Sequence, residues 1–229
     1  MELTAIVNEI VEGIRPTSGI FSITDNLNGY YTITVVKLDN LLVNNQFVSI
    51  SGTAGFDTDS TEVFNINYTL KTFDIQLPTG QAISTLGIFT AKAPFFDFTD
   101  TILEYSNNLT LEQQKSFRKD IEMFPAIYMQ TGFQENDKEN DTDFEVNELR
   151  LLFINFTEID NNTEGRYQDD IPYLMNLYTK FKREMRRHTK LNSVQGFAHE
   201  KNTFAEFQTN EAVSQVIATV SLTYSTNEC

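Results

Sequence analysis

The chain is poor in the side chains that carry most covalent and metal chemistry: of 229 residues one is cysteine, two are histidine and none is tryptophan. The single cysteine, Cys229, supports neither a disulfide framework nor a cysteine metal site within one chain, which points to a reducing assembly compartment. Nucleophilic catalysis needs a base beside the nucleophile. His188 lies in a run of Arg and Lys, and His199 in a polar stretch that reads as a loop, neither within a recognisable motif. Glycine is equally uninformative, since Gly52 and Gly55 are followed by Phe56 and Asp57 rather than by the Lys and helix of a phosphate-binding loop. No enzymatic activity and no cofactor are expected. Cations are scarce as well, 17 Lys and Arg against 32 Asp and Glu, for a net charge of −15. That balance argues against a general nucleic-acid binder, whose phosphate-tracking surface is basic. No apolar run approaches the roughly 18 residues of a membrane span. Met1-Glu2-Leu3-Thr4 opens without a basic segment leading into an apolar one. The expectation is a soluble protein made in the cytoplasm, with no membrane partner. Asn67-Tyr68-Thr69 and Asn155-Phe156-Thr157 then read as chance triplets, not as glycosylation sites.

What is present is core-forming. Apolar residues make up 40% of the chain, and Phe and Tyr supply all of the 12% that is aromatic, so the chain folds rather than remaining disordered. Residues 2–14 place Ile6, Ile10, Ile14, Val7 and Val11 at helical spacing, and Arg15-Pro16 ends the pattern. Short alternating stretches follow at 21–23, 30–36, 46–51 and 63–75, with Gly, Asn and Asp at the joints, and predict a small antiparallel barrel or sandwich. Residues 77–98, with Pro78-Thr79-Gly80 and Pro94-Phe95-Phe96-Asp97-Phe98, read as a connector. Its aromatics would serve either as interface residues or as a bridge between domains. Thr110-Leu111-Glu112-Gln113 resembles a helix N-cap, with the helix reaching about Ile121. Phe124–Gln130 reads as a strand with Pro125 near its start or on an edge. The near-continuous apolar centre of 145–157 predicts a long strand covered on both faces. Asp169-Asp170-Ile171-Pro172 places acids and a proline where a helix begins, and that helix runs to about His188. Val213–Tyr224 alternates as a closing strand. The expected class is α+β: an N-terminal helix (1–18), a small β-domain (19–80), a connector (81–109) and an α/β domain (110–229) with a mixed or antiparallel sheet and one long helix.

Two charged segments stand out. Lys180, Lys182, Arg183, Arg186, Arg187 and Lys190 are six of the seventeen cations, within eleven positions. Cations at a helix C-terminus oppose its dipole, but Lys182, Arg183, Arg186 and Arg187 share a helical face, more than the dipole requires. Three readings are open: a solvated helix end, an interface with an acidic partner, and contact with DNA passing through a mostly acidic channel. The acidic counterpart is the hairpin segment holding Asp137, Glu139, Asp141, Asp143 and Glu145. It lacks the glycine and glutamate spacing of a calcium-binding EF-hand loop, so no metal site is assigned.

The second half resembles the tail-terminator and tail-completion proteins of bacteriophages. The likeness lies in Phe124-Pro125-Ala126-Ile127-Tyr128-Met129, the hairpin to Val146–Phe156, the long helix with Ile171-Pro172-Tyr173-Leu174, and the closing strand Val213–Tyr224. The first half, with Ile-Arg-Pro-Thr-Ser-Gly at 14–19 and Phe-Ser-Ile-Thr-Asp-Asn at 21–26, is similar to proteins of crAss-like and other Bacteroides phages in which a small β-domain precedes the terminator-like unit. The inserted β-domain departs from the plain terminator pattern. The resemblance implies a non-catalytic virion protein of the neck or tail. It would form a homo-oligomeric ring, hexameric as in terminators or dodecameric as in neck adaptors, around the DNA channel between portal and tail. The rival expectation is a receptor- or glycan-binding virion module, with an exposed groove in the β-domain.

Overall fold

In a computed structural model, the described residues are 3–27, 29–53, 55–78, 86–99, 125–137, 143–158, 163–207 and 209–225. Backbone contacts divide the chain into two units, Arg15–Ala93 and Met1–Ile14 together with Pro94–Cys229.

The first unit is a closed antiparallel barrel. Its strands are β1 (Thr17–Asp25), β2 (Tyr30–Val35), β3 (Phe47–Ser51), β4 (Thr58–Asn67), β5 (Thr72–Gln76) and β6 (Ile88–Ala91), in the order β1-β2-β5-β4-β3-β6 with β6 closing onto β1. Alternation sends one side chain of each pair inward, so Tyr31, Ile33 and Val35 of β2 meet Phe73 and Ile75 of β5 in the core. Two edge-to-face ring pairs fill the interior, Tyr31 on Phe56 at 4.9 Å and Phe73 on Phe89 at 5.1 Å. The hairpin between β1 and β2 is set by Asp25, whose Oδ1 accepts from the backbone N of Leu27 at 2.7 Å while Leu27 takes a φ of 70°. Barrel closure depends on β6, which lies in the segment expected as a connector. Gly87 precedes it so closely to β3 that an added Cβ would sit 2.0 Å from the carbonyl oxygen of Ser51.

The second unit is built on a sheet ordered β11-β12-β10-β8-β7, with β9 also paired to β10. Its strands are β7 (Phe95–Thr99), β8 (Ala126–Gln130), β9 (Gln134–Asp137), β10 (Asp143–Glu158), β11 (Leu191–Phe207) and β12 (Thr209–Ser225). β7 runs parallel to β8 and the other pairs are antiparallel. Two helices accompany it among the described residues, α1 (Leu3–Ile14) and α2 (Thr163–Arg187). α2 packs on β10, β11 and β12, and α1 packs on α2. Six apolar residues of α1, from Leu3 to Ile14, are buried, so the helix belongs to this unit rather than standing before the barrel. β10 is buried on both faces through Leu151, Leu152, Phe153 and Ile154. On the α2 side Phe153 meets Tyr178 and Phe181 edge-to-face at 5.6 and 5.5 Å.

The expected α+β class, with an α/β second half, is overturned. The protein is mostly β, a closed barrel plus a second sheet. Four strands that the sequence pattern did not announce, β6, β7, β9 and β11, account for the difference. β8 is interior, between β10 and β7, and Pro125 just before it accepts through its carbonyl from Phe95 N at 3.0 Å. α2 begins at Thr163, so Pro172 sits inside the helix rather than at its first turn. Asp170 is not a dipole-facing acid. It is 5% exposed, and its carboxylate accepts from Ser214 Oγ at 2.8 Å and Asn155 Nδ2 at 3.2 Å, tying α2 to β12 and β10. The segment expected as a helix at 110–121 lies outside the described residues.

Candidate functional site

The basic run does not form one face. At the start of it, Lys180 Nζ donates to the carbonyl of Ile14 at 2.9 Å, closing the C-terminal end of α1. At the far end, Lys190 Nζ lies 3.3 Å from Glu9 Oε2, and His188 Nε2 lies 3.6 Å from the same oxygen. These two cations therefore hold α1 against α2.

The middle of the run turns the other way, toward β11. Lys182 Nζ lies 4.7 Å from the centroid of Phe197, and the Arg186 guanidinium lies 5.2 Å from it. Phe197 of β11 is thus met by two cations of α2 at a cation–π distance. Beneath it, Tyr178 packs at 6.3 Å from Phe197 and 5.3 Å from the ring of His199. The Tyr178 hydroxyl is buried with no hydrogen-bond partner, and burial pushes its ionisation above the ordinary tyrosine range, with the positive charge of Arg186 acting the other way. Arg183 and Arg187, 55% and 67% exposed, share one acid, Glu184, at 3.1 and 3.6 Å. Such exposed pairs contribute about 0–1 kcal/mol. Four cations and one carboxylate thus mark the α2 surface beside β11, in a chain of net charge −15.

The acidic hairpin stands across the same sheet. β9 pairs with the start of β10, Phe144 to Asp137 and Asn147 to Gln134. The same stretch of β10 pairs with the end of β12, which pairs with the start of β11. β9 and the start of β11 therefore lie at similar height along the strands, three strand spacings or roughly 14 Å apart, with α2 packed over β10, β11 and β12 between sheet centre and edge. Asp143 accepts from Asn192 Nδ2 at 3.2 Å, and Glu145 is half-buried. Asp137 lies at the end of β9, and Glu139 and Asp141 lie outside the described residues.

Compared with known proteins, the chain matches no family model and no curated protein.

Among the described residues no three His, Cys, Asp or Glu side chains converge as a metal site. No described helix is long and apolar enough to cross a membrane. Phe95, Phe96 and Phe98 belong to strand β7, not to a connector. Phe95 and Phe96 are half-buried, and the ring of exposed Phe98 meets Phe96 edge-to-face at 5.2 Å. Of the platform residues, Tyr178 and Phe197 escaped the sequence reading, and His199, expected in a loop, lies in strand β11. Phe197 and His199 lie in a polar stretch, and only the pairing of β11 with β12 brings them under α2.

Proposed function

We propose that the chain is a structural, non-catalytic subunit of a bacteriophage particle. In this reading it assembles with copies of itself into a ring in the head–tail connector or at the tail end, joined to portal or tail proteins around the path of the genomic DNA. The observation that carries the reading is the separation of opposite charge within one unit, cations on the helix over the sheet and acids on the β9–β10 hairpin. A ring of identical subunits needs two different, complementary patches related by a rotation that closes. Basic α2 beside β11 and the acidic β9–β10 hairpin form such a pair. The cation–π contacts with Phe197 fix Lys182 and Arg186 in place, which lowers the ordering cost of an interface there. The resemblance to tail-terminator and neck proteins points the same way.

Mass photometry and sedimentation of the purified chain test this. Rings of defined stoichiometry are expected at low salt, with dissociation as salt rises. The paired reversal Arg183→Glu and Arg187→Glu should leave monomers, and adding Asp137→Lys and Asp141→Lys should restore rings. A chain that stays monomeric at high concentration and is missing from purified particles refutes the proposal.

A further inference from the structure

β10 changes partners along one side. β9 pairs with Phe144–Asn147 and β8 with Leu151–Ile154, so Glu148 to Arg150 have no register partner there. The chain between β8 and β9 detours through Thr131, Gly132 and Phe133, with Gly132 at a φ of 91°. The detour leaves a half-open cleft of ≈ 530 Å³, within the size range of small-ligand sites. On the opposite side of β10 the register also shifts, between Val146 and Leu149, and Glu148 takes a φ of 60°. A left-handed conformation in a residue with a side chain is costly and persists where the surroundings impose it. Bulges of this kind re-aim side chains, often beside binding sites.

We propose that this cleft binds a neutral saccharide unit. Besides Thr131, its polar lining is Gln130, Gln134, Asn147, Glu148 and Arg150, with the half-buried ring of Phe133 beside them. Among the described residues no hydrogen bond or ion pair engages any of these five polar side chains, which leaves them to a ligand. Gln130 continues the β8 register to stand beside Arg150 on β10, so an amide and a guanidinium lie next to each other across two strands. Three amides each donate and accept, the guanidinium only donates and the carboxylate only accepts. A sugar hydroxyl also donates and accepts, so vicinal hydroxyls fit this mixture. A phosphate would meet the carboxylate of Glu148, an organic cation would meet Arg150, and a hydrocarbon would leave five polar groups without partners. The ring of Phe133 supplies the apolar surface on which the C–H face of a sugar can lie. This inference does not rest on ring assembly, and it places the candidate saccharide site in the second unit rather than in the barrel.

The test is saturation-transfer NMR on the full chain with methyl glucoside, methyl galactoside, N-acetylglucosamine, and the disaccharides cellobiose, lactose and chitobiose. At least one probe is expected to show transfer with a Kd of about 10 mM or tighter. Gln134→Ala with Asn147→Ala, both at exposed positions outside the core, should weaken it at least tenfold, and Arg150→Lys should weaken it while leaving the fold intact by circular dichroism. Three outcomes would overturn the proposal: no transfer from any probe, transfer unchanged in the double variant, or displacement of the sugar by sodium acetate, which would assign the cleft to a carboxylate.

Discussion

Replacing Phe153 by leucine removes one ring from the middle of the second unit's core and leaves every barrel residue as it was. Phe153 is fully buried and meets two rings edge-to-face, Tyr178 at 5.6 Å and Phe181 at 5.5 Å. Each such contact contributes about 0.5–1.5 kcal/mol beyond area burial, and leucine retains much of the buried apolar area. The expected loss is therefore about 1–3 kcal/mol, which raises the opening constant of this unit roughly 5- to 150-fold. Native-state hydrogen exchange read by mass spectrometry resolves the effect by segment. Peptides from β10, β12 and α2 should exchange faster by that factor, and peptides from β2, β3 and β5 should not change. The two cores contain different residues, and the barrel's includes Tyr31, Phe56, Phe73 and Phe89 but nothing from 94 onward. Equal acceleration in both units, or less than a twofold change in β10, refutes this division of the chain.

Asp170→Ala should cost about 2–4 kcal/mol in thermal or chemical denaturation, because Ser214 Oγ and Asn155 Nδ2 lose a buried charged acceptor. Gly13→Ala should stabilise by about 0.4–1 kcal/mol, since an added methyl on α1 meets nothing within 4 Å and Gly loses more entropy on folding. Gly87→Ala should do the reverse and lower the melting temperature of the barrel, because its Cβ would strike the Ser51 carbonyl. Asp57 accepts from the Thr53 hydroxyl and from the backbone N of Thr53 and Gly52, which holds its carboxyl below the ordinary range. A depressed carboxyl contributes stability above its unfolded pKa and loses it as pH falls through the folded one. The loop at Gly52–Asp57 should therefore loosen only below the ordinary carboxylate range, with an NMR titration midpoint for Asp57 lower than that of a free aspartate. A midpoint at or above the free value would contradict the hydrogen bonding.

What the sequence disclosed followed local periodicity. α1 was legible because Ile and Val repeat every three to four residues on its buried face. β10 was legible because its centre is apolar on both faces. β11 was not, although it is 17 residues long. Asn192, Gln195, Gly196, Ala198, Glu200 and Lys201 are exposed along it, as suits an edge strand, and only backbone register with β12 makes it a strand. β7 was hidden for a related reason: it is five residues long, and its parallel partner β8 lies about thirty residues onward. Pro172 misled in the opposite direction. A proline after two acids reads as a helix start, yet packing over β10–β12 sustains α2 for nine residues before it. Of the candidate site, the charges were visible in one dimension, but which cations turn toward α1 and which toward Phe197 was not. That choice is made by the partners, Glu9, Ile14 and Phe197, each far away in sequence.

The barrel interrupts the second unit between α1 and β7, and this sets a timetable for synthesis. α1 leaves the ribosome before the barrel, with six apolar side chains destined for burial, but α2, its main partner, ends about 170 residues later. At about 5–20 residues per second the wait lasts roughly 10–35 s. The barrel's six strands are contiguous in sequence and can close during that interval. The helix cannot finish its own packing. For as long as α2 is missing from the nascent chain, the apolar face of α1 is an adhesive surface without a mate, open to chaperone capture or to mispairing between neighbouring chains.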